Sequence, residues 1–211
     1  MTLRSIRLVM LCLAIPAMSG CGTSPRETYY TLSAGMTPEG ATPASADSKL
    51  SITVGPVMLP EIVDRPQLVL RVNSNQVNLV ELHRWAEPLK SVIPRVIADN
   101  LSSLLGAKQV YAFPSSAGDQ AEYRVLVEIQ RFESALGDSA TIDALWTVRR
   151  VSDGAARAGR LVAREFAGGS SYDAVVAAHS RALVTVTRDI AEAIKTVAAI
   201  PQPSAPQPSA P

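Results

Sequence analysis

The segment YRVLVEIQ, Tyr123 to Gln130, alternates Tyr123, Val125, Val127 and Ile129 with Arg124, Leu126, Glu128 and Gln130. A period of two marks a half-buried β-strand, because successive side chains point to opposite faces of a sheet. Its partner runs through Ile142, Ala144, Trp146 and Val148, and Gly137-Asp138-Ser139 between them predicts a hairpin. Strand alternation points the nearby acids Glu128, Glu133, Asp138 and Asp143 toward solvent. A further strand, Leu161 to Phe166, follows a Gly/Ala/Arg loop at Gly154 to Gly159.

On the C-terminal side the period changes. Val175, Val176, His179, Ala182, Leu183, Val186, Ile190, Ile194 and Val197 recur every three or four residues, while Arg181, Arg188, Asp189, Glu192 and Lys195 take other faces. This is one amphipathic helix with Ser171 as N-cap and Asp173 in its first turn, built for a core rather than a membrane. An earlier helix carries Leu89, Val92, Ile93, Val96, Ile97, Leu101, Leu104 and Leu105, with Gly106 as C-cap. Pro94 either kinks it or marks its true first turn. Upstream strands are expected at Tyr29–Leu32, Leu50–Val54 (ending at Gly55-Pro56), Leu68–Val72 and Gln76–Val80, the last two around a turn at Asn73-Ser74-Asn75. The expected fold is α/β: a single domain with a mixed β-sheet flanked by two main amphipathic helices, and disordered termini.

The N-terminus has another purpose. Arg4 and Arg7 precede an apolar run from Leu8 to Met18, which is too short to span a bilayer at the ~20 residues a helix needs. This is a signal peptide, and Ser19-Gly20-Cys21 resembles a lipobox, with cleavage between Gly20 and Cys21 and lipid on Cys21. An ordinary secretory signal with an incidental cysteine is the competing reading, but it favours a small residue where Met18 stands. Gly22 follows the cysteine where an aspartate would resemble an inner-membrane retention signal. The expected location is therefore the periplasmic face of a Gram-negative outer membrane, held by a lipid anchor.

Loss of residues 1–20 takes two arginines and no acid from 20 basic and 19 acidic residues, leaving a formal charge of −1. That balance excludes the basic footprint nucleic-acid binding needs. Cys12 leaves with the signal and Cys21 carries lipid, so no disulfide is available within a mature chain. The expected layout is signal peptide 1–20; lipidated N-terminus, first strand and flexible linker 21–49; ordered domain 50–199 with the strand 29–32; and a Pro-rich tail 200–211.

Catalytic patterns are sparse. The two histidines, His83 and His179, lack carboxylates at ligand spacing, and neither a G-x-S-x-G motif nor a phosphate-cradling glycine loop occurs. His179 falls on the apolar face of the last helix, as a core histidine does. Neither a metal nor a cofactor is expected. Two stiff segments stand out, Leu59-Pro60-Glu61-Ile62-Val63-Asp64-Arg65-Pro66-Gln67-Leu68-Val69 and His83-Arg84-Trp85-Ala86-Glu87-Pro88-Leu89. Pro66 holds Arg65 extended. Asp64, Arg65 and Trp85 are the candidate partner-docking residues. The alternative is structural: Trp85 plugs the helix–sheet junction and Glu87 supports the helix N-terminus.

The start Tyr29-Tyr30-Thr31-Leu32, the LPEIVDRPQLV stretch, Arg84-Trp85-Ala86-Glu87-Pro88-Leu89 and Ser171-Tyr172-Asp173-Ala174-Val175-Val176-Ala177-Ala178-His179-Ser180-Arg181-Ala182-Leu183 together resemble the PqiC-type ABC-transport auxiliary lipoproteins, over roughly residues 25–198. The resemblance implies a non-enzymatic outer-membrane partner of an MCE-protein lipid transporter, without a cofactor. Its expected partners are a periplasmic MCE-domain protein with its inner-membrane complex, and a homo-oligomer is left open. A structural envelope tether without lipid movement, or a periplasmic hydrolase with an unrecognised site, are the alternative readings.

Overall fold

The computed structural model describes residues 25–35 and 48–202. The predicted signal peptide, the lipidation site Cys21, most of the expected linker and all but the start of the tail lie outside these residues. The chain runs β1 (Thr28–Tyr30), β2 (Ser48–Met58), β3 (Gln67–Asn73), β4 (Gln76–Trp85), α1 (Leu89–Leu105), β5 (Ala107–Ala112), a short 3-10 turn (Ser116–Gly118), β6 (Tyr123–Ser134), β7 (Ser139–Arg150), β8 (Ala156–Phe166) and α2 (Tyr172–Ala198).

All eight strands form one mixed sheet, in which β6 is the hub. On one side β6 pairs antiparallel with β7, and β7 with the edge strand β8. On the other side it pairs in parallel with β2 over Ile52–Met58 and then, at its far end, with β3 through Leu70 and Ser134. Two strands thus share one edge of β6, and the chain between them, residues 59–66, crosses the gap they leave.

Both helices pack on the same face, α1 over β2 and β5, and α2 over β7 and β8. That face holds Ile52, Val54, Val125, Val127, Ile142, Ala144 and Val148, all buried, against the helix stripes. Every apolar residue expected on the inner face of α2 is buried, from Val175 to Val197. Ser171 caps α2 by accepting from the Ala174 N–H at 3.1 Å. Gly106 ends α1 in the left-handed region at φ 61°, where glycine has no Cβ penalty. Pro94 lies inside α1, buried on its inner face, rather than at its first turn. At the other end of α2, Arg150 is almost wholly buried: it pairs with Asp153 at 2.6 Å and donates to the Val197 and Ile200 carbonyls at 3.1 and 2.9 Å. A cation there satisfies carbonyls that have no partner within the helix.

The strands depart from expectation: the first is Thr28–Tyr30 and the fourth runs on past Val80 to Trp85. The strand expected to stop at Gly55-Pro56 continues to Met58, because Gly55 at φ 110° forms a bulge instead of a terminus; at its start the strand takes in Ser48 and Lys49, assigned to the linker. The loop expected at Gly154–Gly159 is already strand from Ala156, with Gly159 opposite Trp146, whose indole occupies the space a Cβ would need. And β5, not foreseen, adds a parallel edge on β2.

Candidate functional site

The segment 59–66 is a compact turn rather than a free loop. The Val63 N–H donates to the Pro60 carbonyl at 3.1 Å and Asp64 N–H to the Glu61 carbonyl at 3.3 Å, while the Val63 side chain is buried. The Trp85 N–H donates to the Pro66 carbonyl at 2.7 Å, which staples the end of the turn to the end of β4. The two stiff segments picked out in the sequence therefore meet, and Lys90, the residue after the second of them, reaches Asp64 in the first.

Where they meet, Asp64, Arg65, Pro66, Trp85, Ala86, Glu87 and Pro88 line a hollow of about 360 Å³. The three candidate docking residues are thus neighbours, and they differ in state. Trp85 forms the floor: it is 6% exposed and packs edge-on against Phe132, ring centres 6.0 Å apart. Asp64 accepts from the Lys90 ammonium at 2.6 Å, not from Arg65. Glu87 is bound by Arg95 in the second turn of α1, instead of supporting the helix N-terminus, which has no side-chain cap. Arg65 pairs with no carboxylate among the described residues, and its buried Nε has no hydrogen-bond partner. Lys90 and Arg95, which set the charge balance of this hollow, were not singled out in the sequence. Their signal was their position in the first two turns of a helix that follows Glu87.

The hollow offers an apolar floor, stiff proline walls and one uncommitted guanidinium between two neutralised ion pairs. Such a site suits a carboxylate or carbonyl presented with an apolar neighbour. Its lining carries no hydroxyl, thiol or imidazole, and both of its carboxylates are tied to cations.

The histidines occupy other places. His179 is fully buried, stacked on Phe132 at 3.9 Å and hydrogen-bonded through Nε2 to Ser134 Oγ at 2.8 Å. Burial pushes its pKa down to about 3, so it is a neutral core residue, as the helix pattern implied. His83 stacks on Tyr172 at 3.8 Å and its Nδ1 meets the Tyr30 hydroxyl at 2.8 Å. Two of the family-like segments, those containing Tyr30 and Tyr172, therefore meet on the ring of His83, next to the start of a third. Among the described residues no group of three His, Cys, Asp or Glu side chains is placed to hold a metal ion, and no helix is long and apolar enough to cross a membrane.

One acid departs from the expected solvated face. Asp143 is 1% exposed, because Arg131 Nε (3.1 Å) and Arg160 Nε and Nη2 (2.9 and 2.8 Å) close over it from neighbouring strands. The Arg160 hydrogen bonds, helped by Arg131, hold its carboxyl below the usual carboxylate range.

Comparison with known proteins places this geometry in a family. Among solved structures, one of an uncharacterized protein superposes with a TM-score of 0.65 at 16% identity, covering 81% of this chain and 99% of that one. Protein XCC0632 from Xanthomonas campestris gives 0.64 at 20% identity, covering 80% and 96%. At such identities the likeness shows the shared fold. No match is found among curated proteins. The sequence profile of one family, however, spans residues 30–191, from the first strand to the last helix. The chain belongs to the family of ABC-type transport auxiliary lipoprotein components.

Proposed function

We propose that this protein is a non-enzymatic lipoprotein, cut before Cys21 and anchored in the outer membrane, that docks the periplasmic MCE-domain conduit of an intermembrane phospholipid transporter. The family membership supports an accessory part in an ABC-type system. The observation that carries the docking role is the hollow under the 59–66 turn, where Arg65 has no carboxylate partner among the described residues beside the buried ring of Trp85. A rigid apolar hollow with one unmatched charge has the character of an interface centre, since enriched aromatics and arginine mark such centres.

The test is binding of the lipidated protein, held in vesicles, to a purified MCE-domain protein from the same organism. Wild-type binding that is lost in Arg65→Glu supports the reading. Absence of wild-type binding, with the chain needed for envelope integrity, would favour a structural tether.

A further inference from the structure

The β3–β4 hairpin is unlike the rest of the sheet. Residues Val72 to Leu79 are all exposed, and the stretch 72–80 (VNSNQVNLV) contains no charged residue. Its apolar side chains emerge on both faces: Val77 and Leu79 pair across from Arg71 and Val69 on the helix-free face, and Val72 points the other way. Val72 is 57% exposed, and Leu82 further along β4 is exposed as well. The tip is Asn73-Ser74-Asn75-Gln76, with the Asn75 N–H bonded to Asn73 Oδ1 at 2.9 Å. A two-sided apolar hairpin with an uncharged amide tip is poorly matched to water and well matched to a lipid interface.

The chain itself points the anchor this way. β1 lies parallel to β4, with Thr28 beside His83, so the chain enters β1 from the side on which the hairpin tip projects. Seven residue steps separate Thr28 from Cys21, which span at most about 25 Å even when fully extended. Eight steps separate His83 from Asn75 at the tip, about 27 Å at the rise of an antiparallel strand. A lipid at Cys21 therefore cannot hold the bilayer farther out than the hairpin tip reaches. The charged group nearest the tip is Arg71, which donates to the Asn73 and Ser74 carbonyls at 3.2 and 3.3 Å and pairs with Glu133, so that its cation lies at the depth of lipid headgroups; Arg84, paired with Glu27 at 3.4 Å, and Glu81, which accepts from Gln67 at 3.1 Å, sit farther back.

We propose that the tip of the β3–β4 hairpin, with Val72, Val77 and Leu79, rests in the interfacial layer of the membrane that holds Cys21. The hairpin then sets the orientation of the domain on that membrane. This rests on the lipid anchor at Cys21 proposed above.

Full-length processed protein in vesicles of phosphatidylethanolamine and phosphatidylglycerol tests it. Leu79→Cys and Val72→Cys, on opposite faces of the hairpin, receive an environment-sensitive fluorophore. Ser152→Cys, on the turn after the far end of β7, is the control. The expected result is a blue-shifted emission at 79 and 72 that spin-labelled acyl chains quench, with neither effect at 152. The unsubstituted protein reports on the anchor, because a lipid-blocked Cys21 takes no label. If Cys21 is blocked but 79 and 72 stay as water-exposed as 152, the hairpin proposal is overturned and the anchor stands. If Cys21 itself labels, the anchor reading fails and takes the hairpin with it. Shielding at 79 and 72 that ignores the lipid-borne quencher would mean that a second copy or a protein partner covers the hairpin, which also overturns the proposal.

Discussion

Lys90 reaches Asp64 at 2.6 Å, and this contact ties the turn between β2 and β3 to the first turn of α1. Arg65, next to Asp64 in the chain, is left without a carboxylate among the described residues. Charge reversal should therefore act differently at the two positions. Asp64→Lys places two ammonium groups together and should lower stability by up to about 1 kcal/mol, the range for half-exposed pairs, with partial recovery in Asp64→Lys/Lys90→Asp. Arg65→Glu should leave the thermal midpoint nearly unchanged. Melting curves of the three variants check this, and recovery of Asp64→Lys by Arg65→Asp instead would show the wrong pairing.

The core of α2 should behave as a packed core. Leu183 is fully buried, so Leu183→Ala should cost about 2–5 kcal/mol in denaturant unfolding, from lost transfer energy and the cavity left behind. A loss below 1 kcal/mol, the size of a surface change, would mean that the helix does not pack as described.

Acid should weaken the fold in two stages. His179 has a folded pKa near 3 against an ordinary 6.5, so the unfolded chain takes up the proton first. Stability contributed by its neutral burial is complete above pH 6.5 and falls as pH drops below that, by about 1.4 kcal/mol per unit at most. Asp153, held near 2 by Arg150, and Asp143, lowered by Arg160, act in a second window. Their stabilisation is present above about pH 4 and is lost as pH falls toward their folded pKa values. His179→Gln should flatten the first stage and leave the second; unfolding free energies from pH 7.5 to 3 would show it.

Gly159 should tolerate no side chain. A Cβ there would overlap the Trp146 indole, which donates through Nε1 to Asp189 at 2.9 Å. Gly159→Ala should destabilise by about 1–3 kcal/mol, as overpacking does, and change the tryptophan fluorescence as that hydrogen bond is lost. Thermal unfolding followed by intrinsic fluorescence reads both.

The helices were legible residue by residue because their apolar period decides both the element and its buried face, down to Ser171 and Gly106 at the ends. The edges of the sheet were not. Gly55-Pro56 looks like a stop whether it ends a strand or bulges it. Ala156 to Gly159 looks like a loop until Trp146 is known to need the space above Gly159. Residues 107–112 follow Gly106 too closely and alternate too weakly to declare a strand. Alternation put Asp143 on the helix-free face, but two arginines from other strand positions bury it, which period alone does not reveal. For the hollow, each segment's stiffness was visible in its prolines; their adjacency depends on the bond from Trp85 to Pro66 and was not.

A docking role centred on Arg65 is decided by one titration. Lipidated protein in vesicles is titrated with a purified MCE-domain protein of the same organism, for wild type and Arg65→Glu, beside melting curves of both. Wild-type binding should be saturable and weakened at least about tenfold in Arg65→Glu, as loss of a central interface arginine does, with equal thermal midpoints. Saturable binding of equal strength to both proteins would contradict it and move the docking surface elsewhere on the domain.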